Sequence, residues 1–335
     1  MQVDIIGGSL AGLACAITIK KYNPSCDVIV HEKHKRIGFN HEGRRCAEAH
    51  TIMGSWAHWK PEPDAVFTDI THGEVFCGKK KQTFEQKPGS GVILNRQAFI
   101  AQLGRQAEEG NVIIQTKDKI SEVLELSSDF IVDASGCPSA IKKSWHRYPG
   151  LRGFSLQQTL VDPSVCRPDC IEMHFLGDFG YCWLFPRDVS KSEVNVGLVM
   201  YGSNWNGSLK QKLESFKDTR NVSGKISYCS GGLIPCGLQP PFKKSNVLFV
   251  GDSGVGTFAF SFQGIYRALL SAEIAGRCLA KNKASLYPKL MVSEFGKWEL
   301  IGRIFTYSNR LARHISPELV YKTINAFMNI TRVSH

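Results

Sequence analysis

Hydrophobic residues near the N-terminus come in short continuous runs. Residues 2–6 and 27–31 are apolar runs rich in β-branched side chains, and residues 13–19 between them are apolar and rich in small residues. Such runs predict parallel strands that are buried on both faces, joined by a helix that packs closely on the sheet. The same texture returns at residues 130–132 and 246–250. The pattern therefore predicts an α/β protein with a Rossmann-like parallel sheet.

The middle of the chain has a different pattern. Alternating runs rich in aromatic residues, separated by Gly, Asp and Pro, occur at residues 154–161, 170–176, 181–185, 193–201 and 226–229. Alternation with a period of two predicts an antiparallel sheet. A helix is predicted to interrupt this sheet at residues 209–216.

Shorter elements are predicted between these two regions. Residues 51–94 form a hairpin-rich excursion, and an amphipathic helix follows that Asn95 is placed to cap. Strands are predicted near residues 112–114 and 120–123. In the tail, residues 288–330 carry apolar side chains at helical spacing with arginines between them. This tail predicts helices, either docked on the body or lying on a membrane surface.

Composition narrows the class of protein. The chain has 335 residues, of which 43% are apolar and 21% charged, so it can hold one large domain or two modest ones. It contains no apolar run of about 18 residues, so no membrane span is expected. The first strand begins at once and leaves no room for a signal peptide. We therefore expect a cytoplasmic protein.

Cysteines and charge leave more room for interpretation. The 11 cysteines are scattered without a C-x-x-C pair, which favours small buried thiols and no metal site. A net charge of +11 fits three readings: an acidic electron-carrier protein, an anionic membrane surface, or a basic surface with no partner. A nucleic-acid partner is not predicted, because no basic stripe interleaved with aromatic residues is present.

The first strand leads into Gly7-Gly8-Ser9-Leu10-Ala11-Gly12, and the second ends at Glu32. In a dinucleotide site, a turn of this kind lets backbone N–H groups approach a pyrophosphate at a helix N-terminus. An acid about 20 residues further on accepts a hydrogen bond from a ribose hydroxyl. Glu rather than a basic residue at position 32 favours FAD or NAD over NADP.

Two further strand ends carry an acid and a glycine. The run at 130–132 ends in Asp133 with Gly136 close behind, and the run at 246–250 ends in Gly251-Asp252. Carboxyl ends of parallel strands are where an open sheet binds its ligand. The basic loop from Lys33 to residue 50 is expected beside the same ligand.

These three strand ends together resemble the FAD-dependent oxidoreductases of the p-hydroxybenzoate-hydroxylase type. Within that superfamily the chain is most similar to the geranylgeranyl reductase family. Its Tyr-x-Trp-x-Phe-Pro motif stands at residues 181–186, its cysteine after strand 2 at Cys46 and its helix-opening arginine at Arg96. Residues 232–235 and 264–269 match two further motifs of that family. The chain departs from the family pattern at Ser253, Ala259 and Phe262.

The resemblance implies a discontinuous architecture with an inserted domain. It predicts an FAD-binding domain of residues 1–60, 88–148 and 236–285, an antiparallel substrate domain of residues 61–87 and 149–235, and C-terminal helices at 286–335. It implies FAD contacts from Gly7, Gly8, Ser9, Ala11, Gly12, Glu32, Lys33, Arg45, Cys46, Ala47, Arg96, Asp133, Gly136, Gly251, Asp252, Gly264 and Ile265. It implies catalytic roles for Cys46, Tyr181 and Trp183.

The function implied is FAD-dependent reduction of C=C bonds in a prenyl (geranylgeranyl-type) lipid or another isoprenoid. Reduced flavin would give a hydride, and Cys46, with its pKa lowered by Arg44 and Arg45, would act as proton donor or redox thiol. The alternatives are a flavin monooxygenase that hydroxylates an aromatic or apolar small molecule, and a non-catalytic flavin- or lipid-binding protein. Because a second glycine-rich fingerprint is missing, an external electron donor such as ferredoxin is predicted. Peripheral contact with the inner membrane face is a further prediction.

Overall fold

The apolar and alternating runs form three sheets in the computed structural model, which describes residues 1–39, 47–51, 59–142, 151–202, 207–259 and 261–332. Within these residues the strands are β1 (Gln2–Ile6), β2 (Asp27–Glu32), β3 (Ala49–Thr51), β4 (Val66–Asp69), β5 (His72–Cys77), β6 (Lys80–Glu85), β7 (Gly91–Leu94), β8 (Ile113–Thr116), β9 (Phe130–Asp133), β10 (Arg152–Val161), β11 (Cys170–Leu176), β12 (Gly180–Pro186), β13 (Glu193–Tyr201), β14 (Lys225–Pro235), β15 (Lys243–Lys244) and β16 (Val247–Phe249). The α-helices are α1 (Leu10–Tyr22), α2 (Arg96–Glu109), α3 (Leu209–Thr219), α4 (Ile265–Ala280), α5 (Tyr287–Ala312) and α6 (Pro317–Arg332).

The first sheet has six strands in the order β15-β16-β9-β1-β2-β8. All neighbours except β15 and β16 are parallel, with β1 between β2 and β9. The carboxyl ends of β1, β9 and β16 therefore lie side by side. This arrangement brings the three predicted ligand-binding strand ends to one edge, and it confirms the predicted Rossmann-like parallel sheet.

Helices α1 and α4 cover this sheet and approach each other closely. A Cβ added at Gly276 of α4 would lie 2.9 Å from the Cys15 carbonyl oxygen and 2.7 Å from Thr18 of α1. Asn95 caps α2 as predicted, its side chain accepting a hydrogen bond from Ala98 N at 3.3 Å. The strand predicted at residues 120–123 is wrong. Residues 120–122 have no regular secondary structure and Val123 begins a short 3-10 helix, Val123–Glu125; Ile120, Val123 and Leu126 pack beneath the sheet instead of pairing with it.

The second sheet has seven strands in the order β14-β10-β13-β12-β11-β5-β6. Its strands are antiparallel except where β11 pairs in parallel with β5, a strand from the early excursion. One face of β12 and β13 is aromatic, and the other is aliphatic and packs against Leu213 and Phe216 of α3. The sheet is therefore covered on both faces. A third, small sheet has the order β3-β7-β4, and strands β5 and β6 of the second sheet come between β4 and β7 in the chain.

The C-terminal helices dock on both parts of the molecule. The N-terminal half of α5 contributes Tyr287, Met291 and Phe295 to the core beneath the six-stranded sheet. Its C-terminal half contributes Phe305 and Ala312 to the core of the seven-stranded sheet. Within the described residues, no helix combines the length and apolar character that a bilayer crossing needs. The fold class predicted from the sequence is confirmed, whereas the domain boundaries stay a prediction.

Candidate functional site

The turn between β1 and α1 is built so closely that only glycine fits at two of its positions. Gly7 has a φ of +107°, and its N–H donates to the His31 carbonyl at 2.9 Å. A Cβ added at Gly7 would lie 2.7 Å from the Ala134 carbonyl oxygen, and one at Gly12 would lie 1.9 Å from the Gly7 carbonyl oxygen. The turn therefore holds β1, β9 and α1 in contact and leaves its backbone open to a ligand.

The N-terminus of α1 has the features of an anion site. Its N-cap residue, Ser9, makes no side-chain capping hydrogen bond, and the first turn contains no acidic residue. N–H groups of a first helical turn have no partner within the helix and carry the positive end of its dipole. Ala11, in that first turn, lies beside Gly251, where an added Cβ would meet its methyl group at 2.9 Å. The turn thus faces the end of β16.

Glu32 lies against the glycine turn, as the spacing predicted. Its carboxylate is buried and accepts hydrogen bonds from Gly8 N at 2.8 Å and His34 N at 2.9 Å. The same carboxylate pairs with His34 Nδ1 at 2.7 Å. Lys33, between them, is exposed. Glu32 is therefore positioned where a ribose hydroxyl would lie next to the turn.

Asp133 has a different environment from the one its motif suggested. Its carboxylate is fully buried and accepts hydrogen bonds from Ser135 N at 3.0 Å, from the Ser135 hydroxyl at 2.6 Å and from the Ser253 hydroxyl at 3.2 Å. The Ser139 hydroxyl makes a further short contact with it. Ser253 also bonds Gly136, with its hydroxyl 3.2 Å from Gly136 N. Asp133 therefore joins the ends of β9 and β16, and a direct cofactor contact from it stays a prediction.

A buried lysine, not predicted from the sequence, completes this network. Lys142 Nζ donates to the Gln239 carbonyl at 2.5 Å and to the Ser253 carbonyl at 2.6 Å, and it lies 4.4 Å from the centre of the Phe249 ring. Burial lowers its pKa from 10.5 to about 8. The sequence carries no signal for this role, because the contacts come from two distant segments.

Gly251 and Asp252 stand at the entrance of α4. Gly251 has a φ of +58°, and its N–H donates to Ser271 Oγ of α4 at 3.0 Å. Burial raises the pKa of the Asp252 carboxyl, and the nearby cations of Arg96 and Arg267 oppose that rise. Gly264, the N-cap residue of α4, also lies close to the Asp252 carboxylate. Four predicted cofactor residues therefore lie together here: Arg96, Gly251, Asp252 and Gly264.

The Arg267 side chain supports the site from beneath. It is buried and donates to the Val255 carbonyl at 2.7 Å, and its guanidinium lies 4.8 Å from the ring centres of both Phe258 and Phe295. Burial lowers the pKa of this guanidinium to about 10. At neutral pH it stays charged and keeps a positive charge close to Asp252. Ile265, predicted as a cofactor contact, is the first residue of α4.

Two tyrosines of the seven-stranded sheet anchor the loop that precedes α4. Tyr181 of β12 donates its hydroxyl hydrogen to the Ser261 carbonyl at 2.9 Å, and Tyr201 of β13 donates to the Ala259 carbonyl. Burial raises the pKa of both phenols, so both keep their protons at neutral pH. Residues 257–259 and 261–263 therefore lie between the Gly251–Asp252 end of the parallel sheet and the aromatic face of the second sheet.

Phe262 in this loop occupies a position where the related family carries glycine. Its backbone φ is +53°, a conformation that costs a residue with a Cβ about 1 kcal/mol or more. Its ring centre lies 4.5 Å from Tyr201 and 5.9 Å from Tyr181, and its edge packs on Gly153 of β10. The packing of this ring in the aromatic cluster offsets the backbone cost.

Trp183, the second predicted catalytic residue of the motif, is held in place by its own neighbours. Its indole N–H donates to Asn195 Oδ1 at 2.7 Å, and the ring covers Gly197, where an added Cβ would lie 2.3 Å from the indole. Asn195 and Gly197 belong to the segment that follows the motif in the sequence. Trp183 and Tyr181 contact each other at a ring distance of 5.9 Å. Their catalytic roles stay a prediction.

A buried ion cluster joins the segment just before β3 of the small sheet to the seven-stranded sheet. Arg187, just after β12, pairs with Glu48 at 2.9 Å and with Glu193 at the start of β13. All three side chains are buried. Ala47, a predicted cofactor contact, packs against the aromatic core. His50, two residues after Glu48, is buried, and burial lowers its pKa to about 4.

Two predicted residues lie outside the described part of the chain, Arg45 and Cys46. Most of the other predicted cofactor contacts form two groups at one edge of the parallel sheet, whereas Lys33 is exposed, Ala47 packs against the aromatic core and Asp133 and Gly136 bond Ser253. The first is the glycine turn with Glu32, and the second is Gly251, Asp252 and the start of α4 with Arg96 near it. An uncapped helix N-terminus, a turn whose Cβ positions are closed and a buried ribose-type acid fit a dinucleotide. Their place in the cofactor site stays a prediction.

Comparison with known proteins supports a Rossmann-like nucleotide-binding fold and a likeness to prenyl-lipid reductases. A family model described as an NAD(P)-binding Rossmann-like domain matches residues 5–59. A digeranylgeranylglycerophospholipid reductase from Methanocella arvoryzae is 24% identical over 311 residues, covering 82% of this chain and 75% of that protein. The solved structure of a geranylgeranyl bacteriochlorophyll reductase-like protein from Thermoplasma acidophilum matches with a TM-score of 0.82 at 17% identity, covering 97% of this chain and 91% of that one.

A more distant structural match is the flavin-dependent halogenase CmlS, with a TM-score of 0.69 at 14% identity over 100% of this chain and 70% of that one. The shared fold extends over the nucleotide sheet, the aromatic sheet and the C-terminal helices. The motifs, the fold and these relatives agree: the chain is similar to proteins named digeranylgeranylglycerophospholipid reductase and shares the fold of the geranylgeranyl bacteriochlorophyll reductase-like protein.

Proposed function

We propose that this protein uses FAD to reduce C=C bonds in a prenyl chain of a geranylgeranyl-type lipid. One observation carries the proposal. Residues 257–259 and 261–263 lie between the cofactor edge of the parallel sheet and a buried aromatic face, and the hydroxyls of Tyr181 and Tyr201 bind the backbone of Ser261 and Ala259. A site that places an apolar aromatic wall beside a flavin edge suits an apolar, unsaturated substrate. The matched relatives named as digeranylgeranylglycerophospholipid reductases support the same substrate class.

The preference for FAD follows from the first turn and its acid. Glu32 offers a carboxylate beside the turn, which favours a free ribose hydroxyl over a 2′-phosphate. The N-termini of α1 and α4 both lack a side-chain cap and meet at the same edge of the sheet. Two such ends can hold the pyrophosphate and the negative edge of a flavin nucleotide. Arg96 and Asp252 are the side chains we assign to the second group of contacts.

The chemistry divides between the cofactor and the chain. Bound FAD, once reduced, supplies the hydride. Tyr181, Trp183 and Phe185 line a wall that orients a prenyl chain and excludes water. The Tyr181 phenol stays protonated and holds the loop at Ser261, since its hydrogen is already donated there.

The proton that completes the reduction needs a separate donor. Cys46 is our candidate for the acid, and the buried, neutral His50 lies four residues beyond it along the chain. Neutral imidazole can pass a proton between two partners. A Cys46→Ala variant that keeps its flavin but reduces the substrate at least about tenfold more slowly would support this assignment.

We propose that electrons arrive from an external carrier. The chain has a net charge of +11 and one glycine-rich nucleotide fingerprint, so an acidic carrier such as a ferredoxin suits its surface. Reduction of the flavin by NADPH alone, as fast as by reduced ferredoxin, would contradict this part of the proposal.

The function is tested by anaerobic spectroscopy of the purified protein. The flavin is reduced with dithionite, and a geranylgeranyl lipid is then added while flavin absorbance is followed. Reoxidation by the lipid without oxygen, with loss of a double bond by mass spectrometry, is the expected result. Reoxidation by oxygen alone would favour the monooxygenase. A flavin that neither acceptor reoxidises would favour a non-catalytic binding protein, and failure to take up FAD would overturn every flavin-based function.

A further inference from the structure

The outer face of α5 carries a continuous apolar stripe. It is made of side chains at successive spacings of four, three, four and four residues, each between 51% and 73% exposed: Leu300, Ile304, Tyr307, Leu311 and Ile315. These spacings place them on one side of the helix and of the turn that follows it. Single exposed apolar residues are common on protein surfaces, but five in one line are a patch of the kind that marks an interaction surface. We call these five residues the outer stripe.

The opposite face of the same helix forms a wall of the aromatic cluster. Phe305 of α5 lies 5.9 Å from the ring centre of Phe179 and 6.3 Å from that of Tyr201, and Gly302 approaches the methyl group of Ala259. One helix, about 10 Å across, therefore separates the outer stripe from the proposed substrate wall. An apolar ligand that arrives at the stripe is already next to the site.

Basic side chains border the outer stripe. By helical geometry Arg303 and Arg310 lie along one edge and Lys297 along the other, and all three are exposed. Arg303 pairs with Glu299 at 2.9 Å, so this pair is close to neutral and Arg310 and Lys297 carry the excess charge. Apolar residues between exposed cations are the arrangement of helices that lie in the plane of an anionic membrane surface.

The outer stripe ends at an open cleft that is also lined by apolar and basic side chains. The cleft has a volume of about 580 Å³ and is lined by Leu176, Gly177, Asp178, Lys212, Arg313, His314, Pro317 and Tyr321. Asp178 pairs with Lys212 at 2.5 Å, which leaves Arg313 as the net positive charge of the cleft. A phosphate headgroup has the charge and the size to enter it.

We propose that the outer stripe docks this protein on a bilayer that contains anionic lipids. The five apolar side chains enter the headgroup boundary, Lys297 and Arg310 meet lipid phosphates, and α5 lies in the membrane plane with the aromatic site behind it. The inference deepens the proposed function, since a prenyl lipid would then move from the bilayer to the site past a single helix. The docking proposal itself rests on the exposed stripe and the cations beside it, so it can be tested without measuring the reaction.

Vesicle flotation of the flavin-loaded protein tests the proposal without substrate. Wild-type protein should float with phosphatidylglycerol vesicles and less with phosphatidylcholine vesicles, and salt should weaken the binding. An Ile304→Asn, Leu311→Asn double variant should bind at least about tenfold more weakly to phosphatidylglycerol vesicles. An Arg310→Gln, Lys297→Gln variant should lose the preference for the anionic vesicles and keep the weaker, salt-independent binding.

The matched control is Ile113→Asn, which changes an equally exposed apolar residue, 56% exposed, on the edge strand β8. It should float like the wild type. Unchanged flavin absorbance and melting temperature show that each variant is folded. Equal flotation of the wild type and the double variant, or none by the wild type, would overturn the proposal.

Two further measurements separate this proposal from its rivals. Light scattering reports whether a second copy covers the stripe, and a wild-type dimer that the double variant converts to monomer would overturn membrane docking. Lipid-dependent flavin reoxidation in detergent should be retained by the double variant, because none of its changes reaches the aromatic wall. Loss of flotation with retained reoxidation supports docking, and flotation without any reoxidation leaves docking standing while it refutes the proposed function.

Discussion

The six-stranded sheet and the seven-stranded sheet meet the site with different chemical groups. The parallel sheet presents backbone, in a turn where added Cβ atoms at Gly7 and Gly12 would fall against carbonyl oxygens. The second sheet presents side chains, an aromatic face whose tyrosine hydroxyls hold the adjoining loop. Backbone N–H groups recognise the charge of a phosphate, whereas an aromatic wall recognises shape and apolarity. The difference teaches that one side of the site tolerates almost no substitution and the other can change with the substrate.

A buried ion cluster holds the two sides in register. Arg187 follows an aromatic strand, and its partner Glu48 immediately precedes β3 of the small sheet, whose strand β7 contributes Val92 and Leu94 to the core beneath the six-stranded sheet. Glu193 is the third member and belongs to the aromatic sheet. Ion clusters at such positions give strong orientation, because their charges are costly to leave without partners.

Removal of Arg187, the cation at the centre of this cluster, should lower the free energy of unfolding more than any other substitution proposed. Arg187→Met would remove the buried guanidinium that pairs with the carboxylates of Glu48 and Glu193, and we expect a loss of about 4 kcal/mol of unfolding free energy. Urea unfolding followed by tryptophan fluorescence measures it. The control is Lys191→Met, whose ion pair with Asp188 uses a side chain 69% exposed and should cost less than about 1 kcal/mol. Equal losses in the two variants would show that the cluster does not couple the sheets.

Sequence reasoning predicted the position of the backbone elements of the candidate site more readily than that of the aromatic side. The glycine turn, Glu32 and the Gly251–Asp252 strand end are local signals, because a closed turn needs glycine and an edge residue follows its own strand. The parallel sheet then brings them together by the connectivity of its strands alone. This part of the site was visible in the chain order.

The aromatic side depends on contacts that chain order does not specify. Tyr201 was part of a predicted strand, but nothing in the sequence indicated that its hydroxyl would reach Ala259. Lys142 and the Arg187–Glu48 pair gave no signal for the same reason, since Gln239, Ser253 and Glu48 lie in distant segments of the chain. The strand predicted at 120–123 failed because its apolar residues pack beneath the sheet instead of pairing at its edge.

The buried Lys142 should make the free energy of unfolding depend on pH in the alkaline range. Burial lowers the folded-state pKa of Lys142 from 10.5 to about 8, and at about 1.4 kcal/mol per pH unit this corresponds to about 3 kcal/mol. Between these values the unfolded chain binds the proton and the folded protein does not, so stability rises with pH across this window and is flat below it. The rise is complete near pH 10.5.

Urea unfolding at several pH values, compared between the wild type and Lys142→Met, isolates this group. The variant is expected to lack the rise, and the difference between the two curves should grow by up to about 3 kcal/mol between about pH 8 and 10.5. Other lysines and tyrosines titrate equally in both proteins and cancel. Parallel curves would show that Lys142 keeps an ordinary pKa in the folded state.

An added methyl group should be far less tolerated in the glycine turn of the six-stranded sheet than on the seven-stranded sheet. The Cβ of Gly12→Ala would lie 1.9 Å from the Gly7 carbonyl oxygen, so the turn must shift, and we expect a loss of about 2 kcal/mol with flavin bound at least about tenfold more weakly. Gly232→Ala on β14 is the control, because no atom lies within 4 Å of its added Cβ. It should change neither the flavin content nor the melting temperature. Full flavin content in Gly12→Ala would contradict the closed geometry of the turn.

The smallest effect on stability is expected at Phe262, where the two sides of the site meet. In Phe262→Gly the loss of ring packing against Tyr201 is offset by relief of the backbone at a φ of +53°, so unfolding free energy should change by less than about 1 kcal/mol. Phe262→Ala loses the same ring but keeps a Cβ, and it should be less stable than the glycine variant by about 1 kcal/mol. Both should keep their flavin, since the ring packs only on the aromatic side, and anaerobic reoxidation by a series of prenyl lipids should shift toward longer chains as space opens beside Gly153. If the glycine variant lost its flavin, or if its preference for chain length equalled that of the wild type, the aromatic side would not determine the substrate independently of the nucleotide side.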